Sequence, residues 1–307
     1  MIESTIKGVF NIVATPFDPG LGIDFASLRR LVEFQLEKGS PHGLTALGVL
    51  SEVSKLNIEE RKEIVQRVME TAAGRIPVIV GTSHAVTASC IALSRDAFAA
   101  GAAAVMIYPP PFENPTDEAV LAFYQEVASA VNQPIVVQDY PPANKVTMSP
   151  DLLAELAERV PNIRHLKVED PPLMQKISAI RSRTDKYQIF GGLGGVFFLE
   201  ELQRGAAGTM TGFSFTEILV AVYTAFREGR RTDAERIFDR YLPLIRFENQ
   251  PMLSLSIRKE LLYRRGAIAC PALRRPFFQA DEGMQQELSW ILRRVGIDDP
   301  TRKLVIS

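Results

Sequence analysis

Two residues in the middle of the chain could carry out covalent chemistry together. Lys167 closes an apolar, strand-like run at Ile163–Leu166, and Tyr140 comes soon after a second such run at Ile135–Val137. An ammonium group is costly to bury, and desolvation favours the neutral amine, which can attack a ketone to form a Schiff base. A tyrosine on the preceding strand could move protons during that step. Taken alone, however, Lys167 could equally be a surface residue that pairs with Glu169, and Tyr140 could simply pack at the end of a strand.

The composition narrows the possible classes of function. The chain has 307 residues, of which 46% are hydrophobic and 23% are charged, as in an ordinary soluble protein with a large core. A formal net charge of −1 provides no basic face for nucleic acid. Two cysteines, Cys90 and Cys270, fit a reducing compartment and exclude a disulfide framework or a cysteine-based zinc site. Because neither a signal peptide nor an apolar run of membrane-spanning length is visible, we expect a cytoplasmic protein without membrane or nucleic-acid partners.

The elements that must position Lys167 and Tyr140 follow a repeated pattern. Between residues 8 and 228, short apolar runs alternate with amphipathic stretches of helical length, at a spacing of about 25–35 residues from strand to strand. Eight such units predict an α/β fold, a (β/α)8 TIM barrel that occupies residues 1–228. The predicted strands are Val9–Ala14, Gly43–Gly48, Val78–Gly81, Ala104–Ile107, Ile135–Val137, Ile163–Lys167, Gln188–Gly191 and Ala207–Met210.

The chain after residue 228 has a different pattern. Helical stretches at 232–248, 252–265 and 281–295 follow one another without strands between them. Residues 229–307 are therefore predicted to form a C-terminal helical extension.

The barrel prediction places the active site. In this fold the active site lies at the C-terminal ends of the strands, where Tyr140 and Lys167 end strands five and six. The loops after other strands are rich in Gly, Ser, Thr and Pro, which allow backbone N–H groups to approach an anion. Ser51 and Glu52 precede a helix, a position that favours a carboxylate or phosphate. For the glycine-rich segment 191–195 we favour a purely structural turn.

Together these features resemble the dihydrodipicolinate synthase / N-acetylneuraminate lyase family, over essentially the whole chain. Leu166-Lys167 matches the segment of the Schiff-base lysine, and Tyr140 matches the family tyrosine. Gly48-Val-Leu-Ser-Glu52 stands where family members usually carry Gly-x-x-Gly-Glu, and Gly208–Gly212 is similar to the end of strand eight, where the carbonyl of Met210 would face the lysine.

The resemblance implies a class I lyase without an external cofactor. Lys167 would form an imine with a small 2-oxo acid, and Tyr140 would relay protons. Ser51 and backbone N–H groups near residues 49–51 would hold the substrate carboxylate. Family members are commonly tetramers, so the resemblance also implies a homo-oligomer.

The sequence departs from dihydrodipicolinate synthases at three places. Val49 and Leu50 replace two threonines of the proton relay, and Phe112 lies near the position of a relay tyrosine, although Tyr108 is close. Segment 141–145 lacks the arginine that grips a second carboxylate. These departures disfavour the pyruvate condensation of lysine synthesis.

Several stretches resemble instead the branch that dehydrates 2-keto-3-deoxy sugar acids, in particular 2-keto-3-deoxyarabonate dehydratases. Members of that branch can lack the strand-five tyrosine, which is present here, so both dehydration and aldol cleavage stay open. An imine at C2 acidifies the C3 protons, and the enamine that follows can expel a C4 hydroxyl. The matching segments are 50–52, 82–84, 136–139, 167–169 and 243–249.

The residues expected to bind substrate come from these strand ends. The general acid or base at C4 would be Ser51, Glu52, His84, Tyr108 or Glu169, although each of these could instead be a cap, a loop residue or an ion-pair partner. His165 shares a strand face with Lys167 and is expected to pack inside the barrel. The predicted substrate-binding set is Val49, Leu50, Ser51, Glu52, His84, Tyr108 and Met210.

Two other readings remain. A metal-dependent aldolase would use acids such as Glu52, Asp139, Glu169 or Asp170 as Mg²⁺ ligands, but it would not need a lysine at the end of a strand. An inactive barrel that binds a sugar acid would fit the lost threonines, but not the retained Lys167 and Tyr140. We therefore predict a Schiff-base lyase that acts on a 2-oxo acid and requires no metal.

Overall fold

The computed structural model of the protein describes residues 6–306. Within this range, eight parallel strands pair in sequence order and close into a barrel, which confirms the predicted fold. Nearly all strand residues are buried because both faces of the strands are covered, as expected of parallel sheets. They are β1 Gly8–Ile12, β2 Gly43–Ala46, β3 Val78–Gly81, β4 Ala104–Ile107, β5 Ile135–Asp139, β6 Ile163–Val168, β7 Gln188–Gly191 and β8 Gly208–Thr211.

The barrel closes between its first and last strands. Phe10 of β1 is in register with Gly43 of β2 on one side and with Met210 of β8 on the other. Apolar side chains fill the interior, so the barrel is a packed core and not a pore. The buried interior cluster is Ile6, Phe10, Ile79, Ala104, Met106, Val136, Phe190 and Met210.

The helices surround the barrel and begin where the sequence places capping residues. Asn57 and Glu60 form a reciprocal capping box at α2, and the side chains of Thr116 and Ser149 cap α4 and α6. In the described range the helices are α1 Phe25–Phe34, α2 Ile58–Ala72, α3 Thr87–Ala99, α4 Asp117–Val131, α5 Pro141–Asn144, α6 Pro150–Arg159, α7 Leu173–Arg181, α8 Phe198–Gln203, α9 Thr216–Arg227, α10 Arg231–Glu248, α11 Ser254–Arg264 and α12 Glu282–Arg294.

The structure adds two local features that the sequence pattern did not indicate. The short helix α5 follows Tyr140 directly and begins with Pro141, a residue whose fixed φ suits the first helical position. A 3₁₀ turn, Val49–Ser51, follows β2. Both features shape loops at the C-terminal end of the barrel.

The last three helices pack on one side of the barrel. Apolar residues of α10, α11 and α12 share a buried cluster with α8, α9 and Val9 of β1. Two buried ion pairs tie α11 and the residue after it to the barrel, from Lys259 to Glu52 at 2.6 Å and from Arg265 to Glu217 at 2.5 Å. In the described part of the chain, none of the helices is long and apolar enough to cross a membrane.

Candidate active site

Lys167 and Glu169 form an ion pair inside the mouth of the barrel. Lys167 is the second-last residue of β6, and its Nζ lies 2.9 Å from Oε2 of Glu169, with side-chain exposures of 3% and 9%. Alternate residues of an extended segment point to the same side, which explains why these two side chains meet. Gln138 of the neighbouring β5 donates a hydrogen bond from Nε2 to the same Glu169 oxygen, at 2.7 Å. The buried carboxylate is therefore both charge-paired and hydrogen-bonded, as buried charges require.

Two glycines at the end of β7 make room for acidic side chains. A side chain at Gly192 would overlap the carboxylate of Glu169, and one at Gly191 would overlap that of Glu201 on α8. We expected the segment 191–195 to be only a structural turn. Its glycines are instead required so that the carboxyl groups of Glu169 and Glu201 can lie against the backbone after β7. Burial raises the pKa of Glu201 to about 8, and the nearby charge of Glu169 adds to the shift.

Tyr140 follows β5 and lies half-buried at the start of α5. Burial raises the pKa of its hydroxyl, and the charge of Glu169 adds to that effect. The phenol therefore keeps its proton at neutral pH. A protonated hydroxyl close to a carboxylate is suited to passing protons to and from a bound ligand.

These residues line a cavity of about 100 Å³ at the C-terminal end of the strands. Five of the residues predicted to form the site meet there: Lys167, Tyr140, Val49, Leu50 and Met210. The other lining residues are Ile12, Glu169, Leu193, Gly194, Thr211, Asn249 and Ser254.

Ser51 and Glu52, which were predicted to bind substrate, lie outside the lining of this cavity. The hydroxyl of Ser51 is buried and donates to the carbonyl of Val13. The fully buried carboxylate of Glu52 contacts Lys259 at 2.6 Å and Lys55 at 2.9 Å. Their polar groups are thus already used to hold the β2 loop and α11 in place.

The structure also does not bring His84 and Tyr108 to the cavity. Nδ1 of His84 accepts a hydrogen bond from the backbone N–H of Val86 at 3.0 Å, so this histidine shapes its own loop. Tyr108 is half-buried, and burial raises the pKa of its hydroxyl, with a nearby Arg61 opposing the shift. Both residues follow strands β3 and β4, whereas the cavity is built from the other strands.

His165 has the packing role that its position on the strand predicted. Its ring lies 6.5 Å from that of Phe190 inside the barrel, and burial lowers its pKa to about 4. The imidazole is therefore neutral at physiological pH. It packs below Lys167 on the same face of β6.

The acids considered as metal ligands are each paired with a lysine. Lys176 contacts Asp139 at 2.6 Å and Asp170 at 2.7 Å, in addition to the pairs that Glu52 and Glu169 form. Across residues 6–306, no group of three or more His, Cys, Asp or Glu side chains is arranged to hold a metal ion. The arrangement of these acids thus gives no support to the metal-dependent reading.

The sequence reasoning missed two polar residues of the cavity, Asn249 and Ser254, and included a third, Thr211, only as part of the end of strand eight. Thr211 ends β8, Asn249 follows α10, and Ser254 begins α11. Asn249 lay within a segment noted for its resemblance to the dehydratases, but nothing in the local pattern indicated that the C-terminal extension reaches the mouth of the barrel. Its Nδ2 donates to the carbonyl of Leu193 at 2.8 Å and so joins the extension to the loop after β7.

A model of the dihydrodipicolinate synthetase family matches residues 5–295, nearly the whole chain. The chain belongs to this family. The family members are lyases of the class I type, and this chain is an enzyme of that class.

Similar proteins cover the same length. An L-2-keto-3-deoxyarabonate dehydratase of Azospirillum brasilense is 35% identical over 295 residues, which is 94% of each chain. A 4-hydroxy-tetrahydrodipicolinate synthase of Syntrophus aciditrophicus is 28% identical over 95% of this chain and 99% of its own. The crystal structure of a dihydrodipicolinate synthase from Rhodopseudomonas palustris superposes with a TM-score of 0.88 at 35% identity, over 95% of this chain and 98% of its own.

Proposed function

We propose that the protein dehydrates a 2-keto-3-deoxy sugar acid through an imine on Lys167. The observation that carries this proposal is the buried Lys167–Glu169 pair, which places an amine and a carboxylate 2.9 Å apart in the cavity. The similarity to the Azospirillum brasilense dehydratase supports dehydration as the reaction.

The reaction begins at the ketone. The amine of Lys167 adds to C2 of the substrate, and Glu169 takes up the proton that the nitrogen loses. Glu169 returns this proton to the carbinolamine hydroxyl, which leaves as water, and the imine that remains acts as an electron sink for the next step. No metal or external cofactor takes part.

Loss of water from the sugar acid follows from the imine. Glu169 removes a proton from C3, and the enamine that forms expels the C4 hydroxyl, which takes the proton of the Tyr140 hydroxyl and leaves as water. The resulting C3–C4 double bond is conjugated with the imine. Hydrolysis then consumes one water, frees the lysine and releases a dehydrated 2-oxo acid.

The loop after β2 is suited to hold the substrate carboxylate. Val49 and Leu50 line the cavity and begin a 3₁₀ turn, Val49–Ser51. The first N–H groups of a helical turn have no partner within it, so they can bind an anion. Aliphatic side chains at these positions replace the hydroxyl relay of a condensing enzyme, which supports dehydration over pyruvate condensation.

Borohydride trapping tests the imine. Protein is incubated with sodium borohydride and either pyruvate or 2-keto-3-deoxyarabonate, then digested and analysed by peptide mass spectrometry. We expect an adduct on the peptide that contains Lys167, and its loss in Lys167→Ala. If folded wild-type protein gives no adduct with either acid, the class I mechanism is wrong for this chain.

Product analysis separates dehydration from aldol cleavage. Turnover of 2-keto-3-deoxyarabonate should give a 2-oxo acid that is lighter by one water. Release of pyruvate, measured with lactate dehydrogenase and NADH, would show cleavage of the C3–C4 bond instead.

We also propose, by family resemblance, that the enzyme is cytoplasmic and forms a homotetramer. Light scattering after size-exclusion chromatography measures the mass of the assembly and so tests the tetramer.

A further inference from the structure

The C-terminal extension reaches the cavity that contains Lys167. Asn249 lies directly after α10 and Ser254 is the first residue of α11, and both line this cavity. All other lining residues come from the strands and loops of the barrel. The extension therefore forms part of the wall of the site as well as packing against the barrel.

The extension also brings a buried guanidinium close to the cavity. Arg258 follows Ser254 by four residues and so lies on the same face of α11. Its side chain is 2% exposed and one of its nitrogens donates to the carbonyl of Ile12, but its Nε and Nη1 have no hydrogen-bond partner in residues 6–306. Buried donors without acceptors cost free energy, so their retention points to a ligand or a water.

A small void joins Arg258 to the cavity. The void measures about 10 Å³, close to the space that a single water needs. It shares five lining residues with the cavity, among them Thr211, whose buried Oγ1 has no partner within the described residues. No hydrogen bond among those residues uses the hydroxyl of Ser254 either. Hydrogen-bonding groups without a partner thus lie together at the end of the cavity next to Arg258.

The charge around the void favours a neutral, hydroxylated ligand. Glu248 lines the same void, and its carboxylate accepts hydrogen bonds from the backbone N–H of Ser214 at 3.0 and 3.1 Å. Burial raises the pKa of Glu248 to about 7, and the charge of Arg258 opposes this shift, so the acid offsets part of the charge of Arg258 and a second carboxylate on the ligand would gain little there. Hydroxyl groups both donate and accept and can satisfy Ser254, Thr211 and the guanidinium donors.

We propose that Ser254, Thr211 and Asn249 bind the hydroxylated end of the sugar acid, with Arg258 holding a water or hydroxyl beneath it. This inference rests on the proposed function. The C-terminal extension and Thr211 of β8 would then select a sugar acid over pyruvate, because pyruvate has no hydroxyl to satisfy these groups.

Calorimetric binding measurements in Lys167→Ala protein test the subsite without covalent chemistry. Dissociation constants are measured for 2-keto-3-deoxyarabonate and for pyruvate, with and without Ser254→Ala or Thr211→Val. Each variant removes a hydroxyl that has no partner in the described structure, so little loss of stability is expected. We expect binding of the sugar acid to weaken by about fivefold to tenfold in each variant, the effect of one hydrogen bond. Binding of pyruvate should stay within about twofold of its starting value, because it gains nothing from these hydroxyls.

A matched control is available two residues along α11. The hydroxyl of Ser256 accepts a hydrogen bond from the N–H of Ala280 at 3.0 Å and lies outside the cavity, so Ser256→Ala should leave both dissociation constants unchanged. Equal weakening for both ligands, or none for either, would overturn the subsite. If Lys167→Ala does not fold, the same comparison is made in the active enzyme, between the KM for the sugar acid and the inhibition constant of pyruvate. A different result would show that the proposed function itself is wrong: wild-type protein would then give no borohydride adduct.

Discussion

Lys167 and Glu169 are joined by a 2.9 Å ion pair, and Gln138 holds the carboxylate from the neighbouring strand. The carboxylate of Glu169 fits beside the backbone of Gly192, where a side chain would overlap it. This arrangement stores a proton acceptor next to the amine that must lose a proton. It also keeps that acceptor close to C3 of any ligand bound to the amine.

The first prediction concerns Glu169. Glu169→Gln keeps the shape and the hydrogen bond from Gln138 but removes the base, so turnover of 2-keto-3-deoxyarabonate should fall by about 10²–10⁴-fold. Trapping of pyruvate on Lys167 should persist, since the amine is still present. Steady-state kinetics and peptide mass spectrometry measure the two effects. The exposed Glu200 provides the control, since Glu200→Gln removes the same charge outside the cavity. Unchanged turnover in Glu169→Gln would show that Glu169 does not transfer protons in the reaction.

The second prediction concerns the hydroxyl of Tyr140. Tyr140→Phe should lower kcat by about 10²-fold, the lower range for one proton-transfer group, with a much smaller change in KM. The described residues form no hydrogen bond with this hydroxyl, so the melting temperature should be unchanged. Kinetics and thermal unfolding on the same preparation check both statements. A variant that turns over within about twofold of the wild type would assign the proton transfers to Glu169 alone.

The third prediction separates a structural role of Glu52 from a substrate-binding one. Glu52→Gln leaves Lys259 buried without its counter-charge, which should lower the free energy of unfolding by about 3–5 kcal/mol. Urea denaturation measures this loss, and Glu52→Leu combined with Lys259→Met should recover part of it. Glu63→Gln breaks an exposed pair with Arg67 and should cost only about 0–1 kcal/mol.

The kinetic result for the same variant completes this test. A folded Glu52→Gln enzyme should retain its KM, because the carboxylate lies outside the lining of the cavity. A raised KM at unchanged stability would mean that Glu52 binds the substrate.

The fold could be read from the sequence because the β/α repeat is local. The predicted strands at Val78–Gly81, Ala104–Ile107 and Gln188–Gly191 agree with the structure at both ends. Lys167 and Tyr140 could be placed at one edge for the same reason, since a barrel aligns the ends of its strands.

The rest of the site depends on contacts between distant parts of the chain. Ser254 is 87 residues from Lys167 in sequence, and its position depends on how α11 packs against the barrel. Glu52 and Ser51 follow a strand as the site residues do, but Glu52 pairs with Lys259 and Ser51 bonds the carbonyl of Val13. No local pattern shows which polar strand-end residue already has a partner.

The last prediction uses the buried carboxyl of Glu201. Both of its oxygens are buried without a hydrogen-bond partner in residues 6–306, and burial raises its pKa from 4.5 to about 8. The folded protein therefore binds a proton that the unfolded chain releases between these values. The stability contributed by this proton is fully present below pH 4.5 and is lost as the pH rises through about 8.

The amide in Glu201→Gln cannot ionise, so the variant should not lose stability as the pH rises through about 8. Thermal unfolding at pH 5, 7 and 9 should show little difference between variant and wild type at pH 5 and a growing advantage of the variant at higher pH. The advantage should reach about 2–5 kcal/mol at pH 9, as expected for a carboxyl whose pKa is raised by several units. Glu200→Gln, on the exposed side of α8, should follow the wild type at each pH. Parallel curves for Glu201→Gln and the wild type would mean that Glu201 is already ionised in the fold, leaving two carboxylates beside Lys167 instead of one.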